Sequence, residues 1–471
     1  ATIAEADGLT ATLDDGDDFT LRGNTLTAPT TAGNYTSDVL RLTYGGFTRR
    51  LAVGTYGRQM SAGDGTERNP WVIASADDLV RLAAQTNSGP TDKHYSGKHF
   101  VLADDIELTD TFDGLSAALN GSTAVNAPRW FRGVIDGAGH SISNLNIQST
   151  NAYGLVGLVG YLGPDGALTD LTIASGTVQG TKNVGAAVGK CEGTVERVTN
   201  HARVTSTTNN SSAGSGGVVG YVGVHGTIGN LTNYGAVTNT LASGLCNTGG
   251  VVGTVVGDGT KTFEHLANYG SVSGPMFIAG VVSGSRLVSY SDVVNYGSVT
   301  GSTGVGGVIA RYITGPGQVH YRMEVTNCLN AGEITAKVSY AGGIVGMNDT
   351  TRIHVADCAN VGDITNTVAS TAVGTPVAGG IVGGGSPVIE RCYNAAEISG
   401  VNCIGGIFGR PVNNDAKVDI INSLNVGWLN GYAANAANVG SIAGYRSSAS
   451  NYEGTVYDRQ MSETGGVGLS D

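Results

Sequence analysis

The sequence predicts an all-β chain folded as a right-handed parallel β-helix (a solenoid) of about ten coils. Three observations predict it. The first is a Gly-rich apolar phrase that recurs: Gly216-Gly-Val-Val-Gly220, Gly249-Gly-Val-Val-Gly253, Gly342-Gly-Ile-Val-Gly346, Gly379-Gly-Ile-Val-Gly383 and Gly405-Gly-Ile-Phe-Gly409. The second is a column of asparagines at matching places in each repeat: Asn200, Asn233, Asn268, Asn295, Asn330, Asn360, Asn394 and Asn425. The third is the parity of small apolar residues around that column. Strand side chains alternate faces, so residues two apart share a face. Two before the asparagines stand Val198, Leu231, Leu266, Val293, Cys328, Cys358, Cys392 and Ser423; four after stand Val204, Val237, Val272, Val299, Ile334, Ile364, Ile398 and Leu429. Both sets face one interior, and the asparagine shares their parity.

Composition agrees. The chain has 471 residues, 75 of them glycine and only 10 proline, with 14% charged residues. No Gly-X-Y period is present, which excludes collagen. The formal net charge is −12 without a basic run, which argues against nucleic-acid or membrane-surface binding. No apolar stretch is long enough for a transmembrane segment.

Along the chain, residues 1–56 hold short alternating runs such as Val39–Tyr44 and Phe47–Val53 and predict a small antiparallel β-unit. Residues 57–150 predict a capping helix and the first coils. Ser75 with Asp78 makes a capping box, and Leu79, Leu82 and Ala83 form one apolar stripe. A cap is needed because the first coil of a stack leaves an open edge. Phe100–Leu108 reads as the first strand, and Phe131–Ile147 as two strands about a glycine turn. Residues 151–450 carry the repeat, clear from Gly185 onward; residues 451–471 read as a C-terminal tail or an artificial end.

Stacking places each strand on its copy at about 4.8 Å per coil. The asparagines then form an amide ladder, and the glycine two residues later supplies a positive φ at the bend. Cys328, Cys358 and Cys392 fall in one inward column and are expected to remain thiols; Cys191, Cys246 and Cys403 lie outside it. Simple alternation exposes the second apolar residue of each Gly-rich phrase, namely Val219, Val252, Val282, Ile309, Val345, Val382 and Phe408. Variable loops folding over it, a bulge turning it inward or a covering partner would each resolve this; loops are expected first and a partner second.

At this point a resemblance emerges. The Gly-Gly-Ile-Val-Gly phrases, Tyr153–Gly160, the entry Asn69–Leu79, the segment Phe131–Ile147 and the ending Tyr457-Asp-Arg-Gln-Met-Ser resemble the GLUG motif of bacterial surface proteins. The resemblance covers most of residues 66–465. It implies a secreted or outer-surface β-helix of the kind found in gut Bacteroidetes, some carrying adhesin or peptidase domains elsewhere. It speaks for architecture and hardly for activity.

Two outward columns could carry chemistry. Tyr234, Tyr269 and Tyr296 follow the asparagine on three consecutive coils, where phenol rings could stack on sugars or shield the bend. Glu333, Asp363 and Glu397 stand three after it on consecutive coils. Carboxylates at such spacing suit acid–base work on glycosides, or calcium, or a solvated edge. No basic companion shares their columns, Arg391 lying on an alternate outward position. The histidines, among them His94, His99, His140, His201 and His354, show no ligand spacing, and no metal site or catalytic motif is found. The leading expectation is a noncatalytic extracellular scaffold, adhesin-like, with glycans or host and cell-surface proteins as partners. A polysaccharide lyase or glycoside hydrolase using the carboxylates is the alternative, and a structural spacer of a larger surface protein the second. No cofactor is expected; calcium at the carboxylates is the one candidate.

Overall fold

A computed structural model describes residues 9–13, 20–22, 25–27, 37–44, 47–54, 62–88, 95–117, 130–150, 154–313, 323–348, 352–367, 376–411, 416–431 and 438–459. Most of them form a parallel β-solenoid of about eleven turns. The far end of the expected tail, residues 460–471, lies outside the described residues, as do His94 and Tyr153.

Three sheets run along the stack. An asparagine face holds strands such as Thr194–Asn200 and Thr227–Asn233. A second face begins just after the asparagine, as in Arg203–Ser206, and ends in the first glycine of the Gly-rich phrase, as in Ser215–Gly216. A third face follows, as in Val219–Val222. Register is maintained from coil to coil: the eight asparagines are paired in sequence from Asn200 to Asn425. Both inward columns named above are buried throughout.

The stack starts one coil earlier than the sequence suggested. Trp71–Ile73 already pairs in parallel with His99–Leu102. The helix Ala76–Ser88 follows it and covers the first coils with Leu79, Leu82 and Ala83, all buried. Its start is fixed by the capping box, in which Ser75 Oγ accepts from Asp78 N–H at 3.3 Å and the Asp78 carboxylate accepts from Ala74 N–H at 3.1 Å. Asn87 fastens its end, donating to the Gly114 carbonyl at 2.8 Å. Ahead of it, Thr10–Leu13, Ser37–Tyr44 and Phe47–Gly54 form an antiparallel sheet, and Thr20–Arg22 pairs antiparallel with Thr25–Thr27. Ion pairs from Arg41 to Asp110 and from Arg49 to Asp113 tie the sheet to the early coils.

The second apolar residue of the Gly-rich phrase is not a surface stripe. Val218 and Val219 are both buried, as are their equivalents on the later coils from Val251 and Val252 through Ile407 and Phe408. The chain bends at Gly217 and Val218, between the second and third faces, so alternation restarts there. The corner, rather than loops or a partner, turns these residues inward.

The glycine after each asparagine also works differently from the expectation. Gly235, Gly270 and Gly297 are not among the residues with positive φ. They are needed for close approach: a Cβ on Gly270 would lie 2.0 Å from the Gly235 carbonyl oxygen of the coil below. A column of left-handed residues stands three before the asparagine, and three before Ile173 on the coil preceding Asn200. Asp170, Arg197, Asn230, His265, Asp292, Asn327, Asp357, Arg391 and Asn422 have φ between 48° and 56° on nine consecutive coils. Each absorbs a parity change, so that Val195 and Val198 both point inward with Glu196 and Arg197 outside. Asn and Asp tolerate this conformation best and fill most of the column. Arg197, His265 and Arg391 are the exceptions, and each of the two arginines makes a bidentate bond to the carboxylate one coil below, Asp170 and Asp357.

Inside, each asparagine Nδ2 donates to Oδ1 of the next coil's asparagine at 2.7 to 2.9 Å, seven times from Asn200 to Asn425. From Asn200 through Asn330, Nδ2 also bonds the carbonyl two residues on at 2.8 to 2.9 Å. The amides press on the second glycine of the Gly-rich phrase. A Cβ on Gly217 would meet Asn233 Oδ1 at 2.3 Å, and one on Gly280 would meet Asn295 Cγ at 2.2 Å. The two recurring phrases are therefore the two sides of one contact across the interior.

All six cysteines are free and buried. Burial pushes the Cys191 thiol up to about 12 and raises Cys358 well above its usual value. Low thiolate content and poor access both suppress thiol chemistry. The folded protein at neutral pH is expected to leave all six unlabelled by a thiol-disulfide reagent over minutes, and to release all six in denaturant. Fast labelling of any one in the native state contradicts this packing.

Candidate functional site

The outward residues just past the asparagine corner make one continuous facet. Its first column is aromatic. His201 stacks on Tyr234 with ring centroids 4.7 Å apart and planes within 4°. Tyr234 stacks on Tyr269 at 4.7 Å, and Tyr269 on Tyr296 at 5.0 Å. The tyrosines are 44–47% exposed. Parallel stacking of coils at about 4.8 Å forces this ladder, because equivalent side chains leave equivalent backbone positions. It has a chemical consequence. The faces of Tyr234 and Tyr269 are occupied by their neighbours, so they offer solvent their ring edges and hydroxyls. Burial and the two flanking phenols raise the Tyr269 hydroxyl's pKa.

Two columns run beside the rings. Three residues after the asparagine stand Ala236, Ser271 and Ser298; five after it stand Thr238, Ser273 and Thr300. The latter belong to a hydroxyl row continued by paired residues from Thr205 through Thr335, Thr365 and Ser399. Ser273 Oγ donates to Thr238 Oγ1 at 3.4 Å.

Farther along the same facet the rings give way to Ala331, Val361 and Ala395, and the middle column becomes Glu333, Asp363 and Glu397. The structure brings these three carboxylates onto consecutive coils, all exposed. Two are engaged locally. Asp363 Oδ1 accepts from Glu397 N–H at 2.9 Å, and Glu397 Oε1 accepts from Ser399 Oγ at 2.9 Å. Arg391 is directed away, to Asp357 and Glu390 on the asparagine face, and its guanidinium holds the Asp357 carboxyl below its usual range.

Sequence reasoning missed two clusters. On the asparagine face His354 is sandwiched between coils, Nδ1 at 2.5 Å from Glu324 Oε2 and Nε2 at 3.0 Å from Glu390 Oε2. The signal was in the alignment, since Glu324 and His354 both lie six before a ladder asparagine. On the third face Trp130 stacks on Tyr161 at 5.4 Å, and the Lys190 ammonium lies 4.6 Å from the Tyr161 ring and 5.7 Å from that of Tyr221. Among the described residues, no group of three or more His, Cys, Asp or Glu side chains is placed to hold a metal ion. Among them, too, no helix is long and apolar enough to cross a membrane.

No family model matches the chain. A curated relative, halomucin of Haloquadratum walsbyi, is 37% identical over 169 residues, covering 34% of this chain and 2% of halomucin. The chain thus spans a very small part of that relative's length. A solved structure, "putative immunoglobulin A1 protease" from Bacteroides ovatus, matches with a TM-score of 0.40 at 18% identity, over 86% of this chain and 91% of the other. That score carries no argument about function. Geometry and comparisons together describe a parallel β-solenoid with a partial relative in halomucin.

Proposed function

We propose that the chain is a noncatalytic extracellular scaffold, resembling GLUG-motif surface proteins, that captures glycans on the facet beside the asparagine corner. The observation that carries this reading is the exposed stack of Tyr234, Tyr269 and Tyr296 on an otherwise regular solenoid. Ordered aromatic edges with hydroxyls present both apolar and hydrogen-bonding surface, as sugars do. They are fixed in place by the ladder beneath, so little side-chain freedom is lost on binding.

The test is a glycan array probed with the wild type and with a variant in which all three tyrosines are alanine. Array signals are expected for the wild type and a loss of about tenfold or more for the variant, as removal of clustered aromatic contacts costs binding. Equal signals reject the tyrosine site. A wild type that binds no glycan leaves the spacer reading.

A further inference from the structure

We infer that the ligand of this facet is an uncharged linear polysaccharide, lying parallel to the solenoid axis along the aromatic ladder over the coils of Tyr234, Tyr269 and Tyr296. This rests on the glycan-capture reading above and adds the ligand class, its direction and its boundaries.

The direction follows from the repeat. All three columns of the facet run along the axis, and the ring spacing of 4.7 and 5.0 Å sets their period. A chain laid along the axis meets the same set of groups at each step, with roughly one sugar unit per coil at about 4.8 Å. A chain laid across the coils meets one tyrosine only.

The class follows from the groups. Tyr234, Ala236 and Thr238, then Tyr269, Ser271 and Ser273, then Tyr296, Ser298 and Thr300 contain no charged side chain. The middle residues are small and leave room beside the phenols. The phenol and Thr or Ser hydroxyls each donate and accept, which suits sugar hydroxyls. The ring edges carry partial positive charge and suit ring and glycosidic oxygens. The stacked arrangement explains why edges rather than faces do the binding.

The boundaries follow from charge. Past Tyr296 the middle column turns acidic with Glu333, Asp363 and Glu397, and the whole chain carries a net charge of −12. A polyanion extending along the facet would run onto like charge, whereas a neutral chain pays no such cost. Toward the other end, Arg203 replaces the small residue beside His201.

Affinity gel electrophoresis of the full chain tests this, with neutral polysaccharides (mixed-linkage glucan, mannan, galactan) and polyanions (polygalacturonate, alginate) in the gels. The wild type is expected to be retarded by at least one neutral polymer and by neither polyanion. Ser271→Trp, which fills the space beside Tyr269, is expected to weaken that retardation by about tenfold or more, as steric exclusion of the bound chain requires. Ser271→Asp, which adds charge with little bulk, is expected to weaken it as well, and Thr365→Trp, on the acidic half, to leave it unchanged. Matching melting curves establish that the variants fold. Preference for polyanions overturns the inference. So does full binding by both Ser271 variants, or an equal loss in Thr365→Trp; in those cases glycan capture stands and this site does not. No retardation of the wild type by any polymer removes the glycan-capture reading itself.

Discussion

Replacing Asn295 by alanine is expected to destabilise the solenoid by about 3–5 kcal/mol, the sum of several buried polar groups left without partners. Asn295 is completely buried. Its Nδ2 donates to the Gly297 carbonyl at 2.9 Å and to Asn330 Oδ1 at 2.8 Å, and its own Oδ1 accepts from Asn268 at 2.9 Å. Truncation breaks all three bonds and opens a void beside Gly280, which the amide now fills. Asn295→Asp repeats the shape but brings a buried charge that can only accept, so it is expected to be no milder. The position along the ladder matters. Asn425 is paired above with Tyr457 rather than another asparagine, and its Nδ2 reaches the Gly427 carbonyl only at 3.4 Å. Asn425→Ala is therefore expected to cost clearly less than Asn295→Ala. Urea unfolding followed by circular dichroism measures both, and equal midpoints for the two variants would contradict a stabilising ladder.

Gly343→Ala is expected to cost at least about 3 kcal/mol, the range of overpacking in a filled interior, because one methyl group has nowhere to go. A Cβ at Gly343 would lie 2.0 Å from the Gly380 carbonyl oxygen and 2.5 Å from Asn360 Cγ. Neither neighbour yields cheaply. Gly380 belongs to the next coil's backbone, and Asn360 is held by bonds to Asn330 and Asn394. The chain itself supplies the control. In register with Gly217, one coil earlier, stands Ala186, also fully buried, near the beginning of the ladder. There the coils have adjusted to a methyl group, so Ala186→Gly is expected to change stability by less than about 1 kcal/mol, the ordinary glycine penalty. A melting temperature for Gly343→Ala within a degree of the wild type would show that the corner is looser than its packing implies.

These two positions also show what the sequence could reveal. The inward columns were legible because strand periodicity is local: Leu231, Asn233 and Val237 declare their common face by spacing alone. The stacking of Tyr234 on Tyr269 follows from the same alignment. What could not be read was anything that changes parity or crosses the interior. The bend at Gly217 and Val218 resets alternation, so Val219 looked exposed although it is core. The left-handed column at Asn230, Asp292 and Asp357 does the same on the asparagine face. The pairing of Gly280 with Asn295 links two motifs that are separate in the chain, and only the closed coil brings them together. Function was less legible for a related reason. Regular stacking places Glu333, Asp363 and Glu397 in a row whether or not they serve chemistry, so proximity alone says little about purpose.

The ladder has a sense of direction. Every amide donates toward the C-terminal side, from Asn200 to Asn233 and onward to Asn425. Each link is the same whichever two coils it joins, and the asparagines tolerate separations from 27 to 35 residues because the difference is taken up in loops. Duplication or excision of one whole coil therefore leaves an amide link across the new joint like those on either side. Loss of a fraction of a coil does not, since it breaks the polarity of the row. Such a rod can change its length in the genome by unequal exchange between its own repeats while each surviving joint keeps its strength. Its reach is the property that can drift most freely, and the facet beside the asparagine corner lengthens or shortens with it.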